Sequence, residues 1–300
     1  MIAHWDEVEG RVLETGPMRL TRVDLGDSIG SDRVGVALLK IQPGGRSSPV
    51  HAELAEEEIF YVLRGSGILW QDDGSGPATC EVREGDTIVH VAATEYHTLV
   101  AGDDGLDVLA FGERTWATAT WLPRAGVLRM DATVEVSTGP HPWEREAAAG
   151  ELELPEPGPR PKNVVALADA PVIMDGTVQI LGATGGSVRT GLNTFVQSAE
   201  TKYVPHCHSA SEEIFVILEG SGTFHAGDEQ HDVRAGHAVS RRPGTGVAHW
   251  FVAGKGGMTH LAYGTREPNE IVYYPRSRKA FLGATLVHLD LADDYWEGEV

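Results

Sequence analysis

The chain has 300 residues and a formal net charge of −20, because 44 Asp and Glu outnumber 24 Lys and Arg. A field of that sign repels nucleic acid and anionic membranes, so neither is expected as a partner. Hydrophobic residues make up 41% of the chain, which is enough for one large core or for two domains of about 150 residues. The two cysteines, Cys80 and Cys207, define no disulfide framework.

The first residues carry no signal for export. Residues 1–7 are acidic and lack the basic and apolar regions of a signal peptide. No apolar run approaches the ~20 residues that a membrane-spanning helix needs. We therefore predict a soluble cytoplasmic protein.

The first segment with chemical potential follows a predicted strand at residues 34–41. Side chains alternate along a strand, so His51 and Glu53 point to the same face. Glu58 opens the next apolar run, and His97 lies further along the chain. Two imidazoles and two carboxylates form an oxygen-rich set that can hold a divalent ion. The alternative is a group of side chains that satisfy one another or bind water.

Residues 140–162 separate two halves of the chain. Pro142 to Ala149 can form a short helix, with proline in its first turn and Gly150 after its end. Four prolines within the following seven-residue stretch stiffen the chain and remove backbone donors. We place the domain boundary near residue 150, which gives domains at residues 1–150 and 151–300.

The second half carries a denser set of metal-binding side chains. His206 and His208 stand two residues apart on a predicted strand, so both imidazoles project from one face. Glu213 follows after a short polar turn, and His249 adds a third imidazole 36 residues later. Three imidazoles and a carboxylate suit Fe, Mn, Ni, Co, Cu or Zn, and the sequence does not choose among them. The alternative is an exposed His pair beside a solvated Glu.

The residues around this set predict an apolar pocket. Gly220-Ser221-Gly222 predicts a turn after the apolar run Ile214–Leu218. His260 lies in a strand-like run that can face the barrel interior, where it would support the metal ligands or donate a proton. The alternative is a partly exposed, hydrogen-bonded histidine. The apolar lining is expected from Phe215 and Ile217, which share the face of Glu213, and from Trp250 and Phe251 beside His249.

The two halves repeat one another, which indicates an internal duplication. Five markers stand 155 residues before their counterparts, namely His51, Glu53, Glu58, Gly65 and Gly67 before His206, His208, Glu213, Gly220 and Gly222. Five later markers stand 152 residues before theirs, namely His97, Gly112, Arg114, Pro123 and Arg124 before His249, Gly264, Arg266, Pro275 and Arg276. Each repeated Arg can clamp a substrate carboxylate or pair with acidic neighbours at a domain edge, and repetition in both halves favours the second role.

The pattern His206-x-His208-x4-Glu213-x6-Gly220, with a distant His249, resembles the metal motif of the cupin superfamily. The resemblance implies a small antiparallel β-barrel with the metal held inside by these four residues. Two features depart from the family pattern. Glu200 occupies the position where the first motif usually begins with Gly, and the Asn that usually ends the second motif is absent. In the first copy Glu53 replaces the second His, and His97 lies one residue beyond the usual spacing.

The segments 264–277 and 294–299 resemble a bacterial group of two-domain cupins, so the likeness covers nearly the whole chain. The predicted fold class is all-β, with two tandem cupin-type antiparallel barrels of the jelly-roll kind and few short helices. The resemblance places the stronger metal site in the second barrel, on His206, His208, Glu213 and His249. The weaker site in the first barrel consists of His51, Glu53, Glu58 and His97.

The residues leave two classes of function open. One is a metal enzyme that binds a small organic substrate and O2 or water, with a dioxygenase-like oxidoreductase as the leading hypothesis. Isomerisation or decarboxylation through a Lewis-acid metal is the alternative chemistry. The other class is a non-catalytic cupin that binds a small molecule around a structural metal, since one fold hosts many functions. No catalytic residue is assigned, and the expected assembly is a homodimer.

Overall fold

The structure is a computed structural model that describes residues 1–115, 118–130, 134–135, 139–283 and 285–289. Segment 294–299, which carries part of the family resemblance, lies outside the described residues.

Strands dominate the described chain. In the first half they are β1 Ile2–His4, β2 Arg11–Thr15, β3 Met18–Val23, β4 Val34–Ile41, β5 Ala52–Glu53, β6 Glu58–Asp72, β7 Ala78–Arg83, β8 Asp86–His90, β9 Tyr96–Glu113, β10 Ala119–Leu122, β11 Val127–Met130 and β12 Val134–Glu135. In the second half they are β13 Val164–Ala166, β14 Val172–Ile173, β15 Val178–Ile180, β16 Thr190–Gln197, β17 Cys207–His208, β18 Glu213–Ala226, β19 Glu229–Arg234, β20 His237–Arg241, β21 His249–Thr265, β22 Ile271–Tyr274, β23 Lys279–Leu282 and β24 Thr285–His288. The helices are α1 Leu25–Ser28 and α2 Pro142–Ala148, with a 3-10 turn at Leu167–Asp169.

Each half folds into an eight-stranded and a four-stranded antiparallel sheet. The larger sheet of the first half has the order β13-β8-β6-β9-β4-β3-β2, with β7 paired to β6, and the smaller has the order β12-β11-β10-β5. The second half repeats this arrangement as β1-β20-β18-β21-β16-β15-β14, with β19 paired to β18, and as β17-β22-β23-β24. The prediction of two antiparallel barrels with few helices is confirmed.

Local sequence signals explain several of these elements. The apolar run predicted as a strand is β4, and the proline-initiated helix is α2. The N-terminus of α2 is capped because the backbone N–H of Trp143 donates to the His141 side chain.

The turn predicted at Gly220-Ser221-Gly222 is wrong, because β18 continues through it. The pairing of β18 with β21 shifts register there, as in a β-bulge. Gly220 has a φ of +73°, and a Cβ on this residue would collide with the carbonyl oxygen of Gly257. The glycine therefore permits a sharp bend within one long strand, where the local pattern alone suggested an end.

The two halves exchange one strand with each other. Strand β1, at the start of the chain, pairs with β20 of the second barrel, and Ile2 lies opposite Val239. Strand β13, which follows the proline-rich segment, pairs with β8 of the first barrel, and Val164 lies opposite Ile88. The division near residue 150 stays a prediction, and the pairing adds that each half completes the sheet of the other.

An apolar cluster joins the two barrels. It combines buried side chains from both halves, among them Ile59 and Phe111 from the first and Ile214 and Tyr263 from the second. The rings of Phe111 and Tyr263 lie 5.0 Å apart between centroids. Each barrel also has an interior cluster of its own. The barrels are therefore held together by burial of apolar surface as well as by strand exchange.

A buried carboxylate from each barrel also accepts hydrogen bonds from a loop of the other barrel. Glu57 is fully buried and accepts hydrogen bonds from the backbone N–H groups of Val188, Arg189 and Thr190, at 2.9–3.2 Å. The hydroxyl of Ser187 donates to the same carboxylate at 2.7 Å. These donors compensate the cost of burying the charge. We call this group the first inter-barrel clamp.

The second inter-barrel clamp is centred on Glu212, 155 residues after Glu57. Glu212 is fully buried and accepts hydrogen bonds from the backbone N–H groups of Asp32 at 3.0 Å and Arg33 at 2.5 Å. The hydroxyl of Ser240 donates to it at 3.2 Å. In both copies the clamp glutamate directly precedes the glutamate of the predicted metal site. The first Glu of each pair binds the opposite barrel, and the second faces the interior of its own barrel.

Candidate metal centres

The second barrel brings the four predicted ligands together. One donor atom from each of His206, His208, Glu213 and His249 lies within 4.8 Å of the others. Strand β17 positions His208, while Glu213 and His249 are the first residues of β18 and β21. His206 and His249 face each other across an antiparallel bridge, where the His249 N–H donates to the His206 carbonyl at 2.8 Å.

The orientation of the imidazoles fits a metal ion. Nδ1 of His206 donates to the carbonyl oxygen of Val204 at 2.8 Å, which leaves its Nε2 available as a ligand. Nε2 of His208 and Nε2 of His249 each lie 3.0 Å from Oε2 of Glu213. Despite this proximity, neither buried nitrogen of His208 makes a hydrogen bond of good geometry among the described residues, which is costly unless an ion completes the site. The set therefore fits a divalent transition metal, as predicted.

The protonation states of Glu213 and His249 suit metal binding, whereas that of His208 is set by its acidic neighbours. Burial opposes a charge on Glu213, but attraction from His208 and His249 and the hydrogen bond with His249 outweigh it and hold the pKa of Glu213 well below its usual range. Burial also disfavours a proton on His208, but Glu213 and Glu270 outweigh it and raise the pKa of His208. Burial lowers the pKa of His249 to about 4. An ionised carboxylate and a neutral imidazole are the forms that bind metals near neutral pH.

Glu270 is a neighbour of the candidate site that the sequence did not indicate. Its carboxylate lies 3.6 Å from Nδ1 of His208 and accepts hydrogen bonds from the backbone N–H groups of Ser209 and Ser211. Burial opposes this charge, but the serine donors hold the pKa of Glu270 below its usual value. A fixed carboxylate behind a histidine orients the ring and increases its basicity toward a metal. Position 270 corresponds to Thr118 in the first copy, so comparison of the two halves was the one available signal.

Two cavities meet at the carboxylate of Glu213. The larger, of about 610 Å³, lies on the side of His208, and its wall includes the charged residues Arg266 and Glu270. The smaller, of about 250 Å³, lies on the side of His206 and His249. We call the smaller one the aromatic cavity, because its wall includes the rings of Phe195, Tyr203, Phe215, Phe251, His260 and Tyr274.

Most of the predicted apolar lining lies where expected. Phe215 and Phe251 line the aromatic cavity, whereas Ile217 does not line it and is instead fully buried in the core of the second barrel. Trp250 contacts the cavity wall, but its ring stacks on His225 at 4.5 Å and lies under the guanidinium of Arg276. Neighbouring residues of a strand face opposite sides, which explains why Trp250 differs from Phe251.

His260 faces the barrel interior, as the sequence suggested. It is 2% exposed, and its ring is parallel to that of Phe195 with centroids 5.2 Å apart. Burial lowers the pKa of His260 to about 3, so the ring is neutral at physiological pH. Its Nδ1 is buried with no hydrogen-bond partner in the described part of the chain.

The first barrel brings together three of its four predicted residues. Donor atoms of His51, Glu58 and His97 lie within 4.8 Å of one another, and Glu53 is not part of that group. Nε2 of His97 lies 3.0 Å from Oε2 of Glu58, whereas Nε2 of His51 lies 3.6 Å from it. The carboxylate of Glu53 approaches Nε2 of His51 to 3.8 Å and accepts a hydrogen bond from Thr120 at 2.8 Å.

The charges of this first set partly satisfy one another. Burial disfavours a proton on His51, but Glu58 and Glu53 outweigh it and raise the pKa of His51 to about 9. Burial lowers the pKa of His97 to about 3. One positive imidazole and one shared carboxylate form a stable arrangement, which matches the alternative of mutual satisfaction as well as that of a divalent ion.

His90 is a further histidine that the sequence reasoning missed. Its ring stacks in parallel on His97 with centroids 3.6 Å apart, and its Nδ1 lies 2.6 Å from Oε1 of Glu95. Strand pairing places His90 opposite Glu58, where the second barrel has Arg241 opposite Glu213. Alignment of strand β8 with β20 would have shown this exchange.

The repeated arginines take part in local structure. Arg114 donates to the carbonyl of Ser31 and to Asp27, and Arg266 donates to the carbonyl of Ser187. Arg124 donates to the buried carboxylate of Glu146 at 2.9 Å. Both Ser31 and Ser187 lie beside a clamp loop, so Arg114 and Arg266 bind the loops that the other barrel contacts.

No helix among the described residues has the length and apolar character needed to cross a membrane.

Comparison with known proteins gives one matching family and several solved structures of similar fold. The Cupin domain family matches residues 37–111 and 195–261, one match in each barrel. Oxalate decarboxylase from Bacillus subtilis is 15% identical, covers 88% of this chain and 75% of its own, and has a TM-score of 0.61. Another structure of that enzyme, described for its Mn(II) centres, is 16% identical with a TM-score of 0.62 and covers 88% and 76%. Vicilin from Solanum lycopersicum is 13% identical, covers 91% and 87%, and has a TM-score of 0.60. No curated protein matches the chain by sequence.

Proposed function

Because this chain is a two-domain member of the cupin family, as its motifs predicted, we propose that its second barrel is a metal-dependent catalytic centre for a small organic molecule. The leading reaction type is a dioxygenase-like oxidation. One observation carries the proposal: a complete set of three imidazoles and one carboxylate opens directly onto an aromatic cavity. A redox-active divalent metal bound by that set would supply adjacent positions for the substrate and for O2 or water.

The protein's own residues would hold the reactants in place. Glu213 is a ligand before it is an acid or base, because a carboxylate bound to a metal is a poor proton acceptor. Glu270, 3.6 Å from Nδ1 of His208, attracts this imidazole electrostatically from the side away from the aromatic cavity. The aromatic rings around the smaller cavity provide an apolar wall, and a low local dielectric strengthens electrostatic interactions with a bound ion. A cytoplasmic location and a homodimer belong to the same proposal.

A decarboxylase or isomerase is the second candidate. The wall of the larger cavity beside Glu213 includes Arg266, whose guanidinium could bind the carboxylate of a small acid. The fold is shared with oxalate decarboxylase, although an identity of 15% supports the fold alone. In this case the metal would act as a Lewis acid and no external oxidant would be consumed in net terms.

Metal analysis followed by an oxygen-uptake screen separates these candidates. Purified protein is assayed for bound metals, reloaded with Fe(II), and tested with an oxygen electrode in the presence and absence of small aromatic acids. Substrate-dependent oxygen uptake supports the oxidase chemistry. Release of CO2 without net oxygen uptake supports the second candidate, and bound zinc with no turnover in either assay supports a binding protein.

The variant Glu213→Gln tests whether the second barrel carries the chemistry. It should weaken metal binding and turnover together, because a neutral amide is a weaker ligand than a carboxylate. The matched control is Glu58→Gln, which makes the same change in the first barrel. A Glu213→Gln protein that keeps its metal and full turnover would exclude this carboxylate and move the search to His51, Glu53, Glu58 and His97.

A further inference from the structure

The first barrel has a cavity of its own, which corresponds in position to the aromatic cavity of the second barrel. It has a volume of about 400 Å³ and reaches His51 and Glu58, whose counterparts His206 and Glu213 line the aromatic cavity. We call it the arginine cavity, because its wall includes Arg11, Arg22 and Arg129. Three guanidiniums thus line one cavity in a protein whose net charge is −20.

Two of these arginines replace an apolar pair of the second barrel. Strands β2 and β3 place Arg11 directly opposite Arg22, whereas the equivalent strands β14 and β15 place Ile173 opposite Val178. The strands are equivalent because Arg22 and Val178 each pair with the next strand, β4 or β16, at residues whose own partners in β9 and β21 stand 152 positions apart. Like charges directly opposite each other destabilise a sheet, so the arginine pair has a cost that the apolar pair avoids.

The third arginine shows the same replacement in the smaller sheet. Arg129 pairs with Thr120, and the residues 152 positions later, Phe281 and Val272, form the corresponding pair of the second barrel. The duplicated framework therefore folds with apolar residues at all three positions, and packing alone does not require the arginines.

Each described carboxylate on the wall of the arginine cavity has a nearby partner. Asp24 accepts a hydrogen bond from Nε of Arg22 at 2.6 Å. Glu53 and Arg129 lie opposite Thr120 on its two neighbouring strands, where their opposite charges attract. The third carboxylate, that of the first candidate metal site, lies 3.0 and 3.6 Å from two imidazole nitrogens.

Arg11 differs from the other two arginines. Its side chain is exposed, and it makes no hydrogen bond or ion pair with any residue that the structure describes. One negative charge supplied by a ligand would pair with this guanidinium and relieve its repulsion from Arg22. A phosphate monoester carries about −1.5 to −2 at pH 7, which exceeds the single charge required, so a monocarboxylate fits better.

Much of the remaining wall is apolar. It includes four leucines and two aromatic residues, namely Leu13, Leu20, Leu39, Leu122, Phe60 and Trp143. Such a wall favours burial of a hydrocarbon group, and a volume of about 400 Å³ lies within the range of about 300–1,000 Å³ typical of small-molecule sites. The wall therefore suits a ligand with an aliphatic chain and one charged end.

We propose that the arginine cavity binds a short-chain aliphatic monocarboxylate, with the carboxylate on Arg11 and the chain against the leucines. The site is separate from the proposed catalytic centre of the second barrel and does not depend on it. It assigns to the first barrel a binding role for which no metal is needed.

Isothermal titration calorimetry on the full-length protein tests this proposal with hexanoate, 1-hexanol and acetate, which separate the charge from the chain. We expect hexanoate to bind about tenfold more tightly than either of the other two. Removal of metal by dialysis against a chelator should leave this affinity unchanged. Equal binding of hexanoate and 1-hexanol would overturn the proposal, and so would loss of hexanoate binding from the dialysed protein.

Substitutions of Arg11 locate the carboxylate. Arg11→Gln should weaken hexanoate about tenfold and leave 1-hexanol unchanged, whereas Arg11→Lys keeps the charge and should retain part of the affinity. Arg19→Gln is the matched control, because Arg19 lies on β3 but faces the other side of the sheet and donates to the carbonyl of Pro43. Unchanged hexanoate affinity in Arg11→Gln would overturn the role of Arg11.

Further variants keep folding and the second barrel apart from this site. Thermal melting reports the folding of each variant. If Arg11→Gln does not fold, Leu13→Ala continues the test and should weaken hexanoate several-fold without changing acetate. Glu213→Gln, which tests the proposed catalytic centre, should bind hexanoate like the wild type. Loss of hexanoate binding in Glu213→Gln would place the ligand in the second barrel and overturn this inference, whereas loss of turnover alone would leave it standing.

Discussion

The two candidate metal sites differ in one predicted ligand and in the residue behind it. In the second barrel a carboxylate and three imidazoles converge, and the carboxylate of Glu270 lies 3.6 Å from Nδ1 of His208. In the first barrel Glu53 occupies the position of His208 and Thr118 that of Glu270, so both the ligand and its charged support are changed. A duplicated fold can thus keep its strand framework while the two copies carry different sets of candidate metal ligands.

The largest expected effect is loss of metal from the second barrel. His208→Ala should remove most bound metal, because it deletes one of three imidazoles, whereas His51→Ala should remove less. Elemental analysis of purified variants measures this. His231→Ala, which changes an exposed histidine, is the control. Equal losses in the His208 and His51 variants would contradict the ranking of the two sites.

The inter-barrel clamps allow the comparison to be tested through stability. Glu57→Gln should lower the free energy of unfolding by about 2–4 kcal/mol, because it replaces a buried charged acceptor with an amide whose NH2 faces donors. Glu57 accepts bonds from more donors than Glu212, so Glu212→Gln should cost less. Denaturant unfolding measures both. A change within experimental error for both variants would refute the role of the clamps.

The comparison can also be tested by a gain of metal binding, when the first site is given the residues of the second. Glu53→His combined with Thr118→Glu should raise the metal affinity of the first barrel about tenfold, because it supplies both an imidazole and the carboxylate behind it. Competition with a chromophoric chelator measures the gain. Thr118→Glu alone is the control and should give little change, since the carboxylate then has no imidazole to orient. A double variant with unchanged affinity would show that other residues weaken the first site.

The smallest expected effect is on the acid dependence of stability. Burial opposes the charge of Glu57, but donors from the second barrel hold its pKa below the usual value. A carboxyl with a lowered folded-state pKa stabilises fully above its unfolded pKa of about 4.3 and loses that contribution as pH falls through the folded value. The stability gap between wild type and Glu57→Gln should therefore be constant above about pH 5 and narrow below about pH 4. A gap that widens on acidification would contradict this linkage.

The sequence indicated the parts of the site that follow from local patterns. The spacing of His206 and His208 predicts one strand face, and the offset of 155 residues predicts two equivalent barrels. Contacts between residues far apart in the sequence could not be predicted from these patterns. Glu270 reaches His208 from a strand edge about 60 residues away, and a single turn signal at Gly220 could not reveal that the strand bends without ending.

The clamps were hidden for a related reason. Glu57 and Glu212 look like ordinary acidic neighbours of the predicted ligand carboxylates, since their partners in the opposite barrel lie 130 or more residues away along the chain. Repetition of the Glu-Glu pair at the same offset was the available signal. It could show that both positions matter, but it could not show that each carboxylate reaches into the opposite barrel.

The strand exchange has a consequence for the order in which the protein can fold during synthesis. Strand β1 is made first, yet its partner β20 begins at His237, more than 230 residues later. At about 5–20 residues per second, the ribosome needs on the order of ten to fifty seconds to supply that partner. During that interval the nascent chain can complete the first barrel once β13 emerges, but the edge of β1 must wait unpaired. Release of a chain truncated before residue 237 would leave that edge exposed to other chains.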